Sequence, residues 1–210
     1  MKNWYEHYVQ DRSVISFLGG GITRFLSYLK YRHYVRIARL NGAVIGEGVV
    51  MTRSFAKKCN GNVKIGNHVS IETDMIDVRA PITIGDHVII GRGTEILTVS
   101  HYIDSPEFDA KYYGLVIEDY VWLPTKVLVL PSCRRIGRGA VVGSGSVVVK
   151  SVEPMSVVSG NPAKEIKKRV CVHSNLVVER LRHGDYKAYI ATYKEKNGKS
   201  DKKDKAVQAD

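Results

Sequence analysis

The sequence predicts an all-β fold, a parallel β-helix, and three observations carry that expectation. First, an aliphatic residue recurs about every six positions in two phased blocks. Ile65, Ile71, Val78, Ile84, Ile90 and Ile96 mark one block; Ile117, Leu123, Val129, Ile136, Val142 and Val148 mark the other. Second, glycine often follows the mark, as in Ile65-Gly66, Ile84-Gly85, Ile90-Gly91, Ile136-Gly137 and Val142-Gly143. Third, the fourth position after most marks is small or β-branched: Val69, Ile82, Val88, Thr94, Val121, Val127, Cys133, Ala140, Ser146 and Val152, with Met75 in the same slot. Helices want an apolar period of about 3.6 and half-buried strands one of about 2. A period near six fits a short strand followed by a bend, repeated so that each unit buries its apolar face only against its neighbours. Glycine after the mark is expected to supply turn conformations barred to other residues.

Composition narrows the class. The chain has 210 residues, 44% hydrophobic and 25% charged, which reads as globular and soluble. A formal net charge of +11 favours an acidic partner. Part of that charge sits in the lysine-rich ending "KEKNGKSDKKDKAVQAD". The rest clusters towards the two ends, with no recognition motif, so nucleic acid is not the expected partner. Cys59, Cys133 and Cys171 are odd in number and far apart. That pattern speaks against a disulfide framework or a thiolate zinc site and for a reducing cytoplasm. "MKNWYEHYVQDRSV" lacks the apolar core of a secretory signal, and no apolar run approaches the ~20 residues that span a bilayer.

The elements follow in order. Residues 1–60 are expected to form a helical cap, with a break at "SFLGGGI". In "RFLSYLKYRHYVRIARL" (24–40), Leu26, Leu29, His33, Ile37 and Leu40 fall at helical spacing, interleaved with Arg24, Lys30, Arg32, Arg36 and Arg39. Such a helix suits a cover over one end of the coil, or an anionic membrane face. Residues 61–160 are the coil, interrupted by a protruding loop at 101–116. Residues 161–193 read as a helical extension and 194–210 as a disordered basic tail.

Two stretches carry a resemblance. "VIEDYVWLPTKVLVLPSCRRIGRGAVVGSGSVVVKSVEPMSVVSGNPAKEIKKR" and the interrupting "SHYIDSP" are similar to the hexapeptide-repeat acyltransferases, within them to the sugar and polysaccharide O-acetyltransferases of galactoside, maltose, capsule and lipopolysaccharide type. The resemblance implies a left-handed coil, a homotrimer, acetyl-CoA as donor, a sugar or cell-surface glycan precursor as acceptor, and no metal.

Acyl transfer to a hydroxyl needs a base, a donor facing the carbonyl oxygen, and a hold on the CoA. His101 is the expected general base, since imidazole accepts a proton near neutral pH. Asp104, Glu118 or Asp119 is expected to orient its ring. The resemblance places the oxyanion donor at the backbone N–H of Thr125 in "VWLPT", where Pro124 stands in the customary glycine's place. It places Trp122 near the acyl or pantetheine arm, the Ser144 backbone at the pantetheine amides, and Lys150, Lys164 and Lys167 at the phosphates. Val149 replaces a customary threonine before Lys150. Tyr102, Phe108, Tyr112 and Tyr113 are candidate platforms for a sugar ring. His68 and His87 occupy equivalent repeat slots and are read as a row facing the turns.

Three other readings use the same pattern: N-acetylation of an amino sugar, a non-catalytic β-helix scaffold, and a zinc hydrolase of γ-carbonic-anhydrase type built on His68, His87 and His101. The spacing of those histidines does not resemble the zinc family's.

Overall fold

The computed structural model describes residues 4–195. Its centre is a coil of short strands stacked on three faces. The first face stacks Val44–Ile45, Val63–Ile65, Ile82–Ile84, Leu115–Ile117 and Arg135–Ile136, all parallel. The second stacks Val50–Met51, Ser70–Ile71, Ile89–Ile90, Trp122–Leu123, Val141–Val142 and Ser156–Gly160, again parallel. The third stacks Glu95–Ile96, Leu128–Val129 and Val147–Val148, with Ile76 bridging to Ile96. Every aliphatic mark of the repeat is buried in one continuous core.

The structure refines the repeat in three ways. The coil begins at Val44, a turn earlier than residue 61, because "VIGEGVVM" already carries the pattern and pairs with the next coil. Ile76, not Val78, holds the third-face slot of its coil, and Met75 in the preceding position is 45% exposed. The glycines after the marks also do a different job from the one expected. Gly66, Gly85, Gly91, Gly137 and Gly143 have ordinary φ. Instead, a Cβ at Gly91 would stand 2.7 Å from the Pro124 carbonyl carbon, and one at Gly85 would stand 2.8 Å from the Asp119 nitrogen. Their smallness lets neighbouring corners touch. Positive φ falls two residues further on at one column of corners: Gly48, His68, His87, Tyr120, Gly139 and Met155.

The long interruption is a β-hairpin. Val99–His101 pairs antiparallel with Ala110–Tyr112. The coil closes beneath it: the Leu97 N–H donates to the Val129 carbonyl at 3.0 Å and the Leu115 N–H to the Pro81 carbonyl at 3.0 Å.

Three helices accompany the coil, two before it and one inserted after its first two strands. They are α1 (Trp4–Gln10), α2 (Val14–Leu40) and α3 (Arg53–Lys58). The Thr52 hydroxyl caps α3 by accepting from the Phe55 N–H at 3.1 Å, and Phe55 and Ala56 bury where the first coil lacks a third-face strand. The break expected at Gly19–Gly21 does not occur; α2 runs through it. A Cβ on Gly20 would meet the Arg12 guanidinium at 2.6 Å and the Tyr189 hydroxyl at 2.8 Å. Gly20 admits the C-terminal helix (186–195), which packs Tyr189 against Phe17 with ring centres 4.9 Å apart.

The C-terminal extension differs from the helical expectation at its start. Ala163–Lys168 returns as a strand antiparallel to Ser156–Gly160, so "SGNPAKEIKKR" is a hairpin that ends the second face. Helix comes only later, at Val178–Arg182 as a short 3₁₀ turn and at 186–195. Residues 194 and 195, expected in the disordered tail, close that helix; 196–210 lie outside the described residues. The two ends of the chain join through a buried cluster. Tyr5 Oη donates to Asp185 Oδ2 at 2.7 Å and Arg24 Nε donates to the same oxygen at 3.1 Å.

Candidate functional site

The hairpin positions His101. It closes the strand Val99–His101, and its ring stacks on Phe108 with centres 4.2 Å apart and planes within 8°. His101 Nδ1 lies 2.7 Å from the Phe108 carbonyl oxygen. A carbonyl only accepts, so Nδ1 must carry the proton. In the neutral ring Nε2 then keeps its lone pair. Phe108 holds φ at 49°, which turns its carbonyl back across the hairpin tip. The Ser105 hydroxyl donates to Asp109 Oδ2 at 2.6 Å and tightens the same turn.

That bond corrects the expected orienting carboxylate. The partner at Nδ1 is a backbone carbonyl. Glu118 instead accepts from Arg135 Nε and from the Arg138 N–H, each at 2.7 Å, and these bonds hold its carboxyl below the usual range. Asp119 accepts from the Asp86 N–H at 2.9 Å. Asp104 lines an open cavity of about 440 Å³ together with His101, Tyr102, Lys111 and Tyr113. Lys111 Nζ sits over the Tyr102 ring at 4.8 Å and the Tyr113 ring at 5.2 Å, which fixes both rings at the cavity wall. Tyr112 is 61% exposed and does not line the cavity, and Phe108 is spent on the His101 ring.

The remaining site candidates lie elsewhere on the coil. Trp122 faces outward on the second face, 44% exposed. Thr125 and Ser144 are brought together at the corner between the second and third faces, where the Gly145 N–H donates to the Thr125 carbonyl at 3.1 Å. Among the described residues the Thr125 N–H donates to no backbone group, and Thr125 is exposed. Thr94 Oγ1 holds the Pro124 carbonyl at 2.5 Å, so the Pro124–Thr125 peptide is fixed from below. Lys150 stands exposed where the third face ends. Lys164 and Lys167 lie on the last strand opposite Ser159 and Val157, both exposed. None of these six residues lines the His101 cavity. Free amide hydrogens at a glycine-rich corner and exposed ammonium groups near the coil's end suit a donor with amides and phosphates.

At the positive-φ corners His68, His87 and Tyr120 stack in a ladder, with ring centres 5.0 Å and 4.9 Å apart. Residues 169–179 cross this ladder. His173 Nε2 donates to the His87 carbonyl at 2.9 Å, and His173 Nδ1 accepts from Arg169 Nη2 at 3.0 Å. His68 Nδ1 meets Glu179 at 2.6 Å. Burial pushes the His87 and His173 rings down from the usual histidine value. The equivalence of "IGNHV" and "IGDHV" signalled the row of His68 and His87; its extension to Tyr120 went unread, and nothing local signalled the strap of residues 169–179.

His68 and His87 stack face to face while His101 bonds Phe108 on the hairpin, so the three do not converge within one chain. Among the described residues no group of three His, Cys, Asp or Glu side chains is placed to hold a metal ion.

No protein-family model matches the chain. Individual relatives do. WcaF of Escherichia coli (strain K12), whose name assigns it to colanic acid biosynthesis as an acetyltransferase, is 36% identical over 141 residues, 67% of this chain and 77% of its own. A galactoside O-acetyltransferase of Lactococcus lactis is 31% identical over 152 residues, 69% of this chain and 66% of its own. A hexapeptide-repeat containing acetyltransferase of Vibrio cholerae shares the fold, with a TM-score of 0.59 at 24% identity, over 79% of this chain and 93% of that one. Its complex with acetyl-CoA aligns at 27% identity and a TM-score of 0.51, over 74% of this chain and 88% of that one. The stacked six-residue repeat and the extent of the match to WcaF lead to one conclusion: the chain belongs to the hexapeptide-repeat acyltransferases, and it is an acetyltransferase of that family.

Proposed function

We propose that the enzyme transfers acetyl from acetyl-CoA to a hydroxyl of a sugar or of a cell-surface polysaccharide precursor, with His101 as general base. The observation that carries the reading is the His101–Phe108 bond: with Nδ1–H committed to the carbonyl, Nε2 is the nitrogen free to take the hydroxyl proton. The acceptor oxygen attacks the thioester carbonyl as its proton passes to Nε2. The Thr125 N–H stabilises the oxygen that gains charge. Collapse expels the CoA thiolate, and the imidazolium returns the proton to sulfur. Trp122 lies along the acyl or pantetheine arm, the Ser144 backbone bonds its amides, and Lys150, Lys164 and Lys167 hold its phosphates. Tyr102 and Asp104 share the cavity with His101 and receive the sugar.

Support from relatives is of two kinds. WcaF and the galactoside enzyme are named for glycan and sugar acetylation. The Vibrio cholerae relative was solved with acetyl-CoA bound. A left-handed coil, a homotrimer whose neighbouring coils complete the CoA groove, a cytoplasmic location and contact with an anionic membrane through the N-terminal segment belong to the same reading.

The test is acetyl-CoA turnover against a panel of free sugars and lipid-linked oligosaccharides, with His101→Ala alongside. Loss of the base is expected to lower kcat/KM about 10²–10⁴-fold. Turnover unchanged in His101→Ala would overturn the assignment.

A further inference from the structure

The helix α2 is apolar on two opposite sides. One side packs inward, with Phe17, Arg24, Tyr31 and Ala38 against the C-terminal helix and the coil. The other has no partner among the described residues. Ile15 is 85% exposed, Leu18 58%, Ile22 63%, Leu26 61% and Leu29 44%. These residues recur at steps of three and four, so they form one stripe along the first half of the helix. A stripe of this kind on a protein surface marks an interaction site.

Its charge says what covers it. "VISFLGGGITRFLSYLKYRHYVRIARL" contains no acidic residue over 27 positions. Lys30 and Arg32 flank the end of the stripe, and Arg36 and Arg39 continue the cationic run. Two copies of α2 laid face to face would bring like charges together. A negatively charged, fluid apolar surface meets both halves of the pattern: acyl chains take the stripe and phosphate headgroups take the cations. No helix among the described residues is long and apolar enough to cross a membrane. We infer that α2 lies in the plane of an anionic bilayer, with Ile15, Leu18, Ile22, Leu26 and Leu29 inserted among the acyl chains and Lys30, Arg32 and Arg36 at the headgroups.

This sharpens the position of the surface from the sequence expectation. Ile37 was expected on the apolar face with Leu26 and Leu29; it packs instead against the coil core, and the stripe extends upstream through the glycines. The inference builds on the membrane contact in the proposed reading and is independent of the acetyl-transfer chemistry.

The experiment is co-sedimentation of the full chain with vesicles of phosphatidylcholine alone or mixed with phosphatidylglycerol. Binding is expected to be at least about tenfold tighter to the anionic vesicles and to weaken with salt. The double variant Ile22→Glu/Leu26→Glu should abolish it, and Lys30→Glu/Arg32→Glu should remove the preference for anionic lipid. Both variants must keep the wild-type thermal midpoint and sedimentation mass, because their substituted side chains face solvent. His101→Ala should bind vesicles as wild type does, which separates this result from the fate of the catalytic reading. Equal binding to neutral and anionic vesicles, or none, overturns the inference. So does a fall in sedimentation mass with Ile22→Glu/Leu26→Glu, which would identify a second copy of the chain as the occupant.

Discussion

At Thr125 the proposed work is done by the backbone, and that separates two substitutions. Thr125→Ala keeps the N–H and should change kcat little. Thr125→Pro removes it and should lower kcat about 10²–10³-fold, the usual effect of deleting one oxyanion donor. Thermal melting of both variants checks that the corner still folds; equal activity of the two would show that the donor lies elsewhere. The same scale shows where reading the sequence stopped. "SHYIDSP" pointed to His101 as the proposed base, but nothing in it pointed to the partner of its ring. A carboxylate was sought by proximity in sequence, whereas the bond goes to a carbonyl seven residues away that the hairpin folds back. Which backbone oxygen a hairpin tip presents depends on turn geometry, and a string of residue types does not contain it.

Among the elements, the strands were legible because their period is unlike that of any helix or ordinary sheet. The reason for their glycines was not. Conformational freedom was expected, and close approach was found: Gly85 and Gly91 lie under the backbone of the next coil. Gly91→Ala should therefore lower stability by about 1–3 kcal/mol through overpacking, with the Pro124–Thr125 peptide displaced. Denaturant unfolding measures this; a neutral result would mean that the coils slide apart freely. The glycines of α2 misled in the same direction. Gly19–Gly21 looked like a break, yet the helix runs through and Gly20 is a close contact, because its partner, Tyr189, is far away in sequence. Helix propensity disfavours glycine by about 1 kcal/mol, and tertiary packing overrides it here.

For the molecule as a whole, the strap over the histidine ladder ties acid stability to two rings. His173 donates through Nε2 and accepts from a guanidinium through Nδ1, so protonation would set a cation against Arg169. His87 is held down by burial and by His68 beside it. A histidine whose pKa is lowered by folding takes up protons more readily when unfolded. Its penalty is absent well above the unfolded value, ~6.5, and grows as pH falls below that value towards the folded one. Unfolding free energy should therefore drop between about pH 7 and 5, and His173→Gln should flatten the drop. An unchanged pH slope in that variant would remove the strap from the account.

The cluster of Tyr5, Arg24 and Asp185 bears on the molecule in another way. Tyr5 and Asp185 stand 180 positions apart in the sequence, yet one hydrogen bond joins them. Mechanically, the coil is a spring whose two leads are knotted together at one side. A force pulling on the ends loads this clasp before any strand. Tyr5 and the contacts between the N- and C-terminal helices would part first, being nearest the pulled ends, then Arg24 and Asp185, and only then would tension reach the stacked coils.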